Sequence, residues 1–479
     1  MRPVNLFASL YLLRILDPSD FGIVALAMLL LTTSNLFSDL GMGVAVIHSS
    51  YDRGKIAFQS FVTMMGFSGL FFVLVFTNTA LFAELMGAPE IEPIIRWLSF
   101  YILIDTASTI PTSLLRKDLM FDKIGLSTFL SEMTLTVVQL VMALLGFGLW
   151  SLVVGLLMGS AVKTITSWWF CPGWDWIQPK RWDRTIQRSL LGYGMQATGS
   201  GIISYLHSHF DDWLIGRTLG SVALGFYSKA YDLTHSTMNR IGKDIIRVVF
   251  FPSYTKIRDD QVRLARAYIK SVKLVLIIMV PAAFGILASA PEIVKVLWGA
   301  KWAEMIPVLQ IYAVAILTRP ISENVGPLFQ ALGKPNFNMR AGLLLMAIAI
   351  PLSLLLLRHG ITGVAIAVVI GHTIGMIYNV YQANTLVPGT ARDTVKVMGS
   401  MLFIGALMGS VVFAAKLYAL QASGGTLNFI GLILLVALGA IVYVTALFIW
   451  QRAFITEMFN IGLAVIGPKL KMKRFAPQR

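Results

Sequence analysis

The chain has 479 residues, of which 56% are hydrophobic and only 13% charged, against roughly 25% charged in soluble globular domains. Apolar windows of about twenty residues recur from end to end, which excludes a soluble multi-domain protein and identifies an all-α integral membrane protein. The formal charge of +15 is then a matter of topology, with Lys and Arg gathered in cytoplasmic loops, and no nucleic-acid partner is expected. The single cysteine, Cys171, rules out an internal disulfide. The first apolar stretch runs into a Pro-Ser-Asp turn in place of a cleavage site, so no cleavable signal peptide is expected.

In chain order, spans are expected at 21–47, 57–82, 92–114, 125–146, 149–170, 189–215, 221–251, 267–289, 304–331, 340–358, 361–386, 397–417 and 427–450. A further segment, Pro3 to Leu16, is apolar apart from Asn5 and Arg14. It reaches only about 21 Å at 1.5 Å per residue, short of a hydrocarbon core of roughly 30 Å. The expectation is about fourteen transmembrane helices, the first of them truncated.

The connections alternate in charge. Those after even-numbered helices hold Arg53 and Lys55, then Arg116, Lys117 and Lys123, then Lys180, Arg181, Arg184 and Arg188. Later ones hold a run from Lys256 to Lys273, then Lys334 and Arg340, then Arg392 and Lys396. Odd connections such as GAPEIE (87–92) hold few cations or none. The positive-inside rule puts the even loops, both termini and the basic tail in the cytoplasm, which fits an even number of helices.

One join is written twice. RILDPSDFGIVALAMLL (14–30) and RTLGSVALGFYSKAYDL (217–233) align without gaps, with Arg14, Leu16, Gly22, Ala27 and Leu30 opposite Arg217, Leu219, Gly225, Ala230 and Leu233. GFGLWSLVVG (146–155) likewise echoes HGITGVAIAVVIG (359–371). The expected organisation is an N-lobe of six helices (1–170), a cytoplasmic linker (171–188) and a C-lobe of six helices (189–386). Two further helices (387–452) and a basic cytoplasmic tail (453–479) complete it. Six being even, the lobes share orientation and would be related by a pseudo-twofold along the membrane normal, an arrangement that points to alternating access. Trp174, Trp176 and Trp182 in the linker read as interfacial anchors.

RILDPSDFGIVALA, DLGMGVAVI (39–47) and DDWLIGRTLGSVALGFYSKAYDL (211–233) running on to VVFFPSYTKIRDD (248–260) resemble bacterial oligosaccharide flippases. These form the polysaccharide-transporter branch of the multidrug, oligosaccharidyl-lipid and polysaccharide exporter (MOP) superfamily, with the colanic-acid exporters the most similar group. The resemblance covers nearly the whole chain and departs at the N-terminus, where members carry a longer first helix. It implies a MATE/MOP-like fold, with twelve core helices in two lobes plus two more at the C-terminus. It also implies a function, moving an undecaprenyl-diphosphate-linked oligosaccharide repeat unit from the inner to the outer leaflet of the bacterial inner membrane. The partners implied are that lipid-linked oligosaccharide, membrane lipids, and the polysaccharide polymerase and export machinery.

An ionisable side chain deep in a span costs about 2.5–3.5 kcal/mol on insertion scales, so each is a functional candidate. Lys229, Asp232, Arg240, Lys243 and Arg247 recur at helical spacing in the eighth helix and define one basic face. A diphosphate needs cations where it crosses, which makes Lys229, Arg240, Lys243 and Arg319 the headgroup candidates. Asp39, Asp105, Glu132, Asp211, Asp232, Glu323 and His207 are candidates for ion coupling or buried pairing, with H+ or Na+ as the coupling ion. Lys163, His209 and Asp212 also lie within spans, Arg319 and Glu323 share a helix face, and Arg14 and Arg217 beside the odd-side turns read as structural. A cation-coupled multidrug or metabolite antiporter of the same superfamily is the alternative, though a basic lining favours an anionic substrate. No cofactor and no enzymatic activity are expected, since there is no Walker loop, HExxH, GxSxG or metal-spaced Cys/His set.

Overall fold

The structure is a computed structural model that describes residues 2–48, 51–178, 182–236, 250–334, 336–422, 427–452, 454 and 456. Among them there is no β-strand. In chain order the helices are α1 (Arg2–Ile15), α2 (Pro18–Asp39), α3 (Met42–His48), α4 (Arg53–Thr77), α5 (Thr79–Leu85), α6 (Glu92–Lys117), α7 (Phe121–Leu144) and α8 (Leu149–Phe170). They continue with α9 (Arg184–Tyr231), α10 (Phe251–Lys256), α11 (Gln261–Leu297), α12 (Ile306–Ala331), α13 (Asn336–Leu356), α14 (Gly360–Leu386), α15 (Thr390–Ala422) and α16 (Phe429–Trp450). Ten described segments are long and apolar enough to cross a membrane, one of them, Asn336–Leu386, holding both α13 and α14. The all-α, many-span expectation is thus met, and each expected span falls mostly on helix where it is described.

The differences lie at breaks. The expected span 21–47 divides into α2 and α3 because Leu40 (φ 43°) and Gly41 (φ 62°) turn left-handed between them. Span 57–82 divides at Asn78, whose φ of −118° and ψ of 31° lie outside the helix region. Gly220, with φ 89° and ψ 173°, interrupts α9, so its two limbs are the expected seventh helix and the beginning of the eighth.

Packing divides the chain into two units, Met1–Asp232 with Leu297–Val308 and Met346–Gly371, and Leu233–Val296 with Leu309–Leu345 and His372–Arg479. In the first unit the duplicated join packs against itself. A Cβ placed on Gly22 would stand 1.7 Å from the Ser221 carbonyl oxygen, and one on Gly225 would stand 1.9 Å from that of Pro18. Pro18 and Ser221 are partners in the repeat, as are Gly22 and Gly225, so the two contacts are one contact made reciprocally. Backbones meet here because only glycine leaves room.

The arginines repeat the exchange. Arg14 Nε donates to the carbonyl of Leu297, the last residue of α11 (2.9 Å). Arg217 donates to the carbonyl of Leu85, the last residue of α5. LMGA (85–88) and LWGA (297–300) are themselves an echo, each with a positive-φ glycine. Both arginines thus close helix C-termini, where unpaired carbonyls and the helix dipole favour a cation. Trp302 fills the space beside the join, fully buried, with Nε1 donating to the Leu13 carbonyl (2.7 Å) and rings of Phe21 and Phe226 at 5.7 and 5.9 Å.

The described part of the 171–188 linker corrects one expectation. Trp176 is 4% exposed and packs on Phe61 and Trp168 in a core with Met64, Leu114 and Leu190, so it is a core residue and not an interfacial anchor. Trp174 and Trp182 are exposed. Cys171 joins this core, and burial pushes its thiol above the ordinary value, against a hydrogen bond donated by Trp176 to the sulfur that pulls it down. Alkylation needs the thiolate. Intact protein at neutral pH is therefore expected to resist maleimide and to label on unfolding. Labelling of the folded protein as fast as a free thiol would contradict this burial.

In the second unit α16 is the most apolar span. It leaves Ile430, Leu434 and Ile441 exposed, the lipid-facing side that a bilayer requires. Its Tyr443 reaches inward instead, donating to the Ile277 carbonyl of α11 (3.0 Å).

Candidate functional site

The break at Gly220 builds the richest charge cluster. In a straight helix Asp211 and Tyr227 would lie about 24 Å apart. The reversal folds the second limb of α9 back along the first, and the Tyr227 hydroxyl donates to Asp211 Oδ2. On the same turn as Asp211, His209 Nδ1 lies 3.0 Å from Asp212 Oδ2, and the Tyr205 ring packs on the imidazole at 4.6 Å. Tyr205 is itself fixed by donating to the Leu29 carbonyl of α2 (2.6 Å). On the second limb Lys229 Nζ pairs with Asp232 Oδ2 at 3.0 Å and sits 4.7 Å over the Phe21 ring, a cation–π contact.

Three carboxylates, one imidazole, one ammonium and two phenols therefore share one region of the first unit. Such a set can hold and release a proton, since imidazole and carboxylate are both proton acceptors and the phenols are donors. Equally, adjacent carboxylates can hold a small cation. Among the described residues no group of three His, Cys, Asp or Glu is placed to bind a metal as a set.

A second polar set joins α2, α6 and α8. Lys163 Nζ pairs with Asp105 Oδ1 at 2.8 Å. Asp39 lies close enough to Asp105 for the two charges to repel, accepts from the Gly43 backbone amide, and has one oxygen, Oδ1, buried without a hydrogen-bond partner. Thr164 Oγ1 donates to the Ile104 carbonyl (2.7 Å), and Ser127 meets Thr166 at 2.6 Å.

In the second unit Arg319 Nε pairs with Glu323 Oε1 at 3.0 Å on one face of α12, both side chains largely buried. Around them Asn379 Nδ2 donates to Ser322 Oγ (2.6 Å) and Asn324 Nδ2 to Ser271 Oγ (2.7 Å). Ser271 also meets the Tyr254 hydroxyl at 2.6 Å.

Of the residues singled out from the sequence, the structure joins Lys229 with Asp232, Arg319 with Glu323, and Asp105 with Lys163. It brings Asp211 to Tyr227 and Asp212 to His209. His207 is half-buried in α9. Glu132, expected among the buried charges, lies on the exposed side of α7. Arg240, Lys243 and Arg247 lie outside the described residues.

Three residues went unnoticed in the sequence. Lys416 Nζ lies 3.4 Å from Glu292 Oε2, with both side chains about nine-tenths buried, and donates to the Ala288 carbonyl (2.8 Å). Each stands at or beyond the end of an expected span, where a long side chain reads as snorkelling to the interface. The longer α11 and α15 of the structure put them inside. Tyr227 was also unmarked, for an aromatic residue in a span carries no signal of its hydrogen bond.

The chain is 27% identical over 341 residues to the lipopolysaccharide biosynthesis protein WzxC of Escherichia coli strain K12, covering 69% of this chain and 66% of that one. It is 26% identical over 307 residues to the succinoglycan biosynthesis transport protein ExoT of Rhizobium meliloti strain 1021, covering 64% and 61%. The chain thus spans less than two thirds of the length of these two relatives. Its fold is similar to that of the lipid II flippase MurJ in an inward closed conformation, with a TM-score of 0.75 at 15% identity over 94% of this chain and 98% of that one. The profile of one family, described as polysaccharide biosynthesis protein, matches residues 11–307. That match takes in more than half of the 479 residues, and the chain belongs to this polysaccharide biosynthesis protein family.

Proposed function

We propose that the protein is a flippase that carries a polyprenyl-diphosphate-linked oligosaccharide from the cytoplasmic to the outer leaflet of the bacterial inner membrane by alternating access. The family match over residues 11–307 carries this reading, and relatives named for lipopolysaccharide biosynthesis and for succinoglycan biosynthesis transport support it. The chain supplies what the cargo needs, charged groups held inside helices that cross lipid. Both termini face the cytoplasm in this reading, and residues 1–170 and 189–386 act as two lobes joined by the 171–188 linker.

Lys229 and Arg319, with Arg240 and Lys243, are the headgroup candidates. Each of the first two is held by an acid three or four residues away, so binding a diphosphate means exchanging a carboxylate for a phosphate of higher charge. Asp211, Asp212 and His209 are the candidates for coupling to H+ or Na+, where one charge falling through 100 mV releases about 2.3 kcal/mol. A polymerase and export machinery would take up the product.

The three acids clustered about the Gly220 reversal, Asp211, Asp212 and Asp232, favour a second reading, a cation-coupled antiporter. Proteoliposomes separate the two. A lipid-linked oligosaccharide on the inner leaflet is expected to become accessible to an impermeant glycosidase only when the protein is present. Arg319→Ala and Lys229→Ala should each slow this by about ten-fold or more, the effect of a lost charge-assisted contact. Efflux of a cationic dye with no oligosaccharide movement would support the antiporter and sink the flippase. Flipping unchanged after the gradient is collapsed would remove the coupling role.

A further inference from the structure

A groove in the second unit is built from the N-terminal part of α11, the turn between α14 and α15, and the first turns of α15. Its volume is about 640 Å³, within the roughly 300–1,000 Å³ usual for small-molecule sites. Arg266, Lys270 and Lys273 line it from α11 at helical spacing, so one face presents three cations. Between and opposite them stand Ile269, Val397 and Phe454, and Lys273 Nζ lies 4.2 Å over the Phe454 ring.

The far wall is set in advance. Asn384 Oδ1 accepts from the backbone amides of Gly389 (3.0 Å) and Ala391 (3.2 Å), which fixes the turn carrying Val387 and Pro388. Asp393 is the one acid of the lining. It is exposed in the first turn of α15, where the helix dipole favours a carboxylate, and three cations outnumber it.

We propose that this groove binds the phosphate headgroup of an anionic glycerophospholipid of the surrounding membrane. Both α11 and α15 are spans, and the groove lies at their loop-connected ends, the headgroup level of a bilayer. Basic pockets between helices at that level recognise anionic lipid headgroups. The apolar wall argues for a chain-bearing phosphate over a free one, since a bare anion gains nothing from Ile269 and Val397. The other occupant at hand, the segment 457–479, carries Lys469, Lys471, Lys473 and Arg474, and like charge disfavours it. Which leaflet supplies the lipid rests on the orientation proposed above, the cytoplasmic one; the site does not depend on flippase activity.

Purified full-length protein in neutral micelles is titrated with phosphatidylglycerol, phosphatidylcholine, glycerol phosphate and inorganic phosphate. Native mass spectrometry counts the retained lipid, and thermal unfolding is measured alongside. Phosphatidylglycerol alone is expected to be retained and to raise the unfolding midpoint. R266Q/K270Q/K273Q should weaken its binding by about ten-fold or more while unfolding as wild type does in phosphatidylcholine. Lys334→Gln, outside the groove, should change nothing. If the triple variant does not fold, Arg266→Gln and the groove-filling Val397→Trp carry the test. Equal retention of both lipids, undiminished binding in the variants, or the same shift from inorganic phosphate would overturn the proposal. No transport is measured, so failure of the flippase reading leaves this result intact.

Discussion

Replacing Lys416 by Met is expected to destabilise the protein by about 3–5 kcal/mol, the range for removing one partner of a buried ion pair. The loss comes from what stays behind. Glu292 is 9% exposed, and its Oε2, which faces Lys416, has no hydrogen-bond partner. Without the ammonium a carboxylate would remain in an apolar setting, where an uncompensated charge is expensive. The Ala288 carbonyl, which accepts from Lys416, would lose its donor as well. The double variant K416M/E292M removes both charges at similar volume and should recover most of the loss, because well-packed apolar substitutes for a buried pair are often neutral or better. The measurement is the thermal midpoint in detergent, read by the retained monodisperse fraction. If K416M and the double variant were equally impaired, the pair would not be the cause.

Alanine at Gly22 or Gly225 should be the most damaging single-methyl addition in the described chain. Overpacking a core usually costs about 1–3 kcal/mol, but that figure assumes that a side chain yields. Here the obstacle is backbone, a carbonyl oxygen at 1.7 Å in one case and 1.9 Å in the other. Neither carbonyl can move without moving its helix, so a loss at or above the top of that range is expected, with folded yield falling sharply. Gly69 is the control. It also lies in a helix, α4, yet nothing stands within 4 Å of its would-be Cβ. Gly69→Ala should therefore be neutral, or stabilising by up to about 1 kcal/mol from helix propensity. Equal yields for all three variants would show that the seam is open enough to accept a methyl group.

The spans were legible because the bilayer demands a continuous apolar run, which a single sequence displays directly. The breaks at Leu40, Asn78 and Gly220 were less so, since a helix interrupted by one or two residues keeps its composition. Charge pairs followed the same division. Lys229 with Asp232 and Arg319 with Glu323 are three and four residues apart, within the reach of helix periodicity. Lys163 and Asp105 are 58 residues apart on different helices, and no spacing rule connects them. Asp211 and Tyr227 are 16 apart and meet only because the chain reverses at Gly220. The Gly22 and Gly225 alignment was visible in the sequence as a repeat. That the two copies touch each other is a tertiary fact.

An interface in which each side presents the same residues to the other has the geometry of a homodimer, where position i meets j and j meets i. Here one chain holds both sides, so a substitution at Gly22 meets only the Ser221 carbonyl and one at Gly225 only that of Pro18. The two ends of the join differ in their surroundings, Lys301 reaching the Leu16 carbonyl on one side (2.6 Å) and Ser221 reaching Glu90 on the other (3.1 Å). The seam is therefore twofold at its glycines and asymmetric around them, an isologous contact inside a single chain.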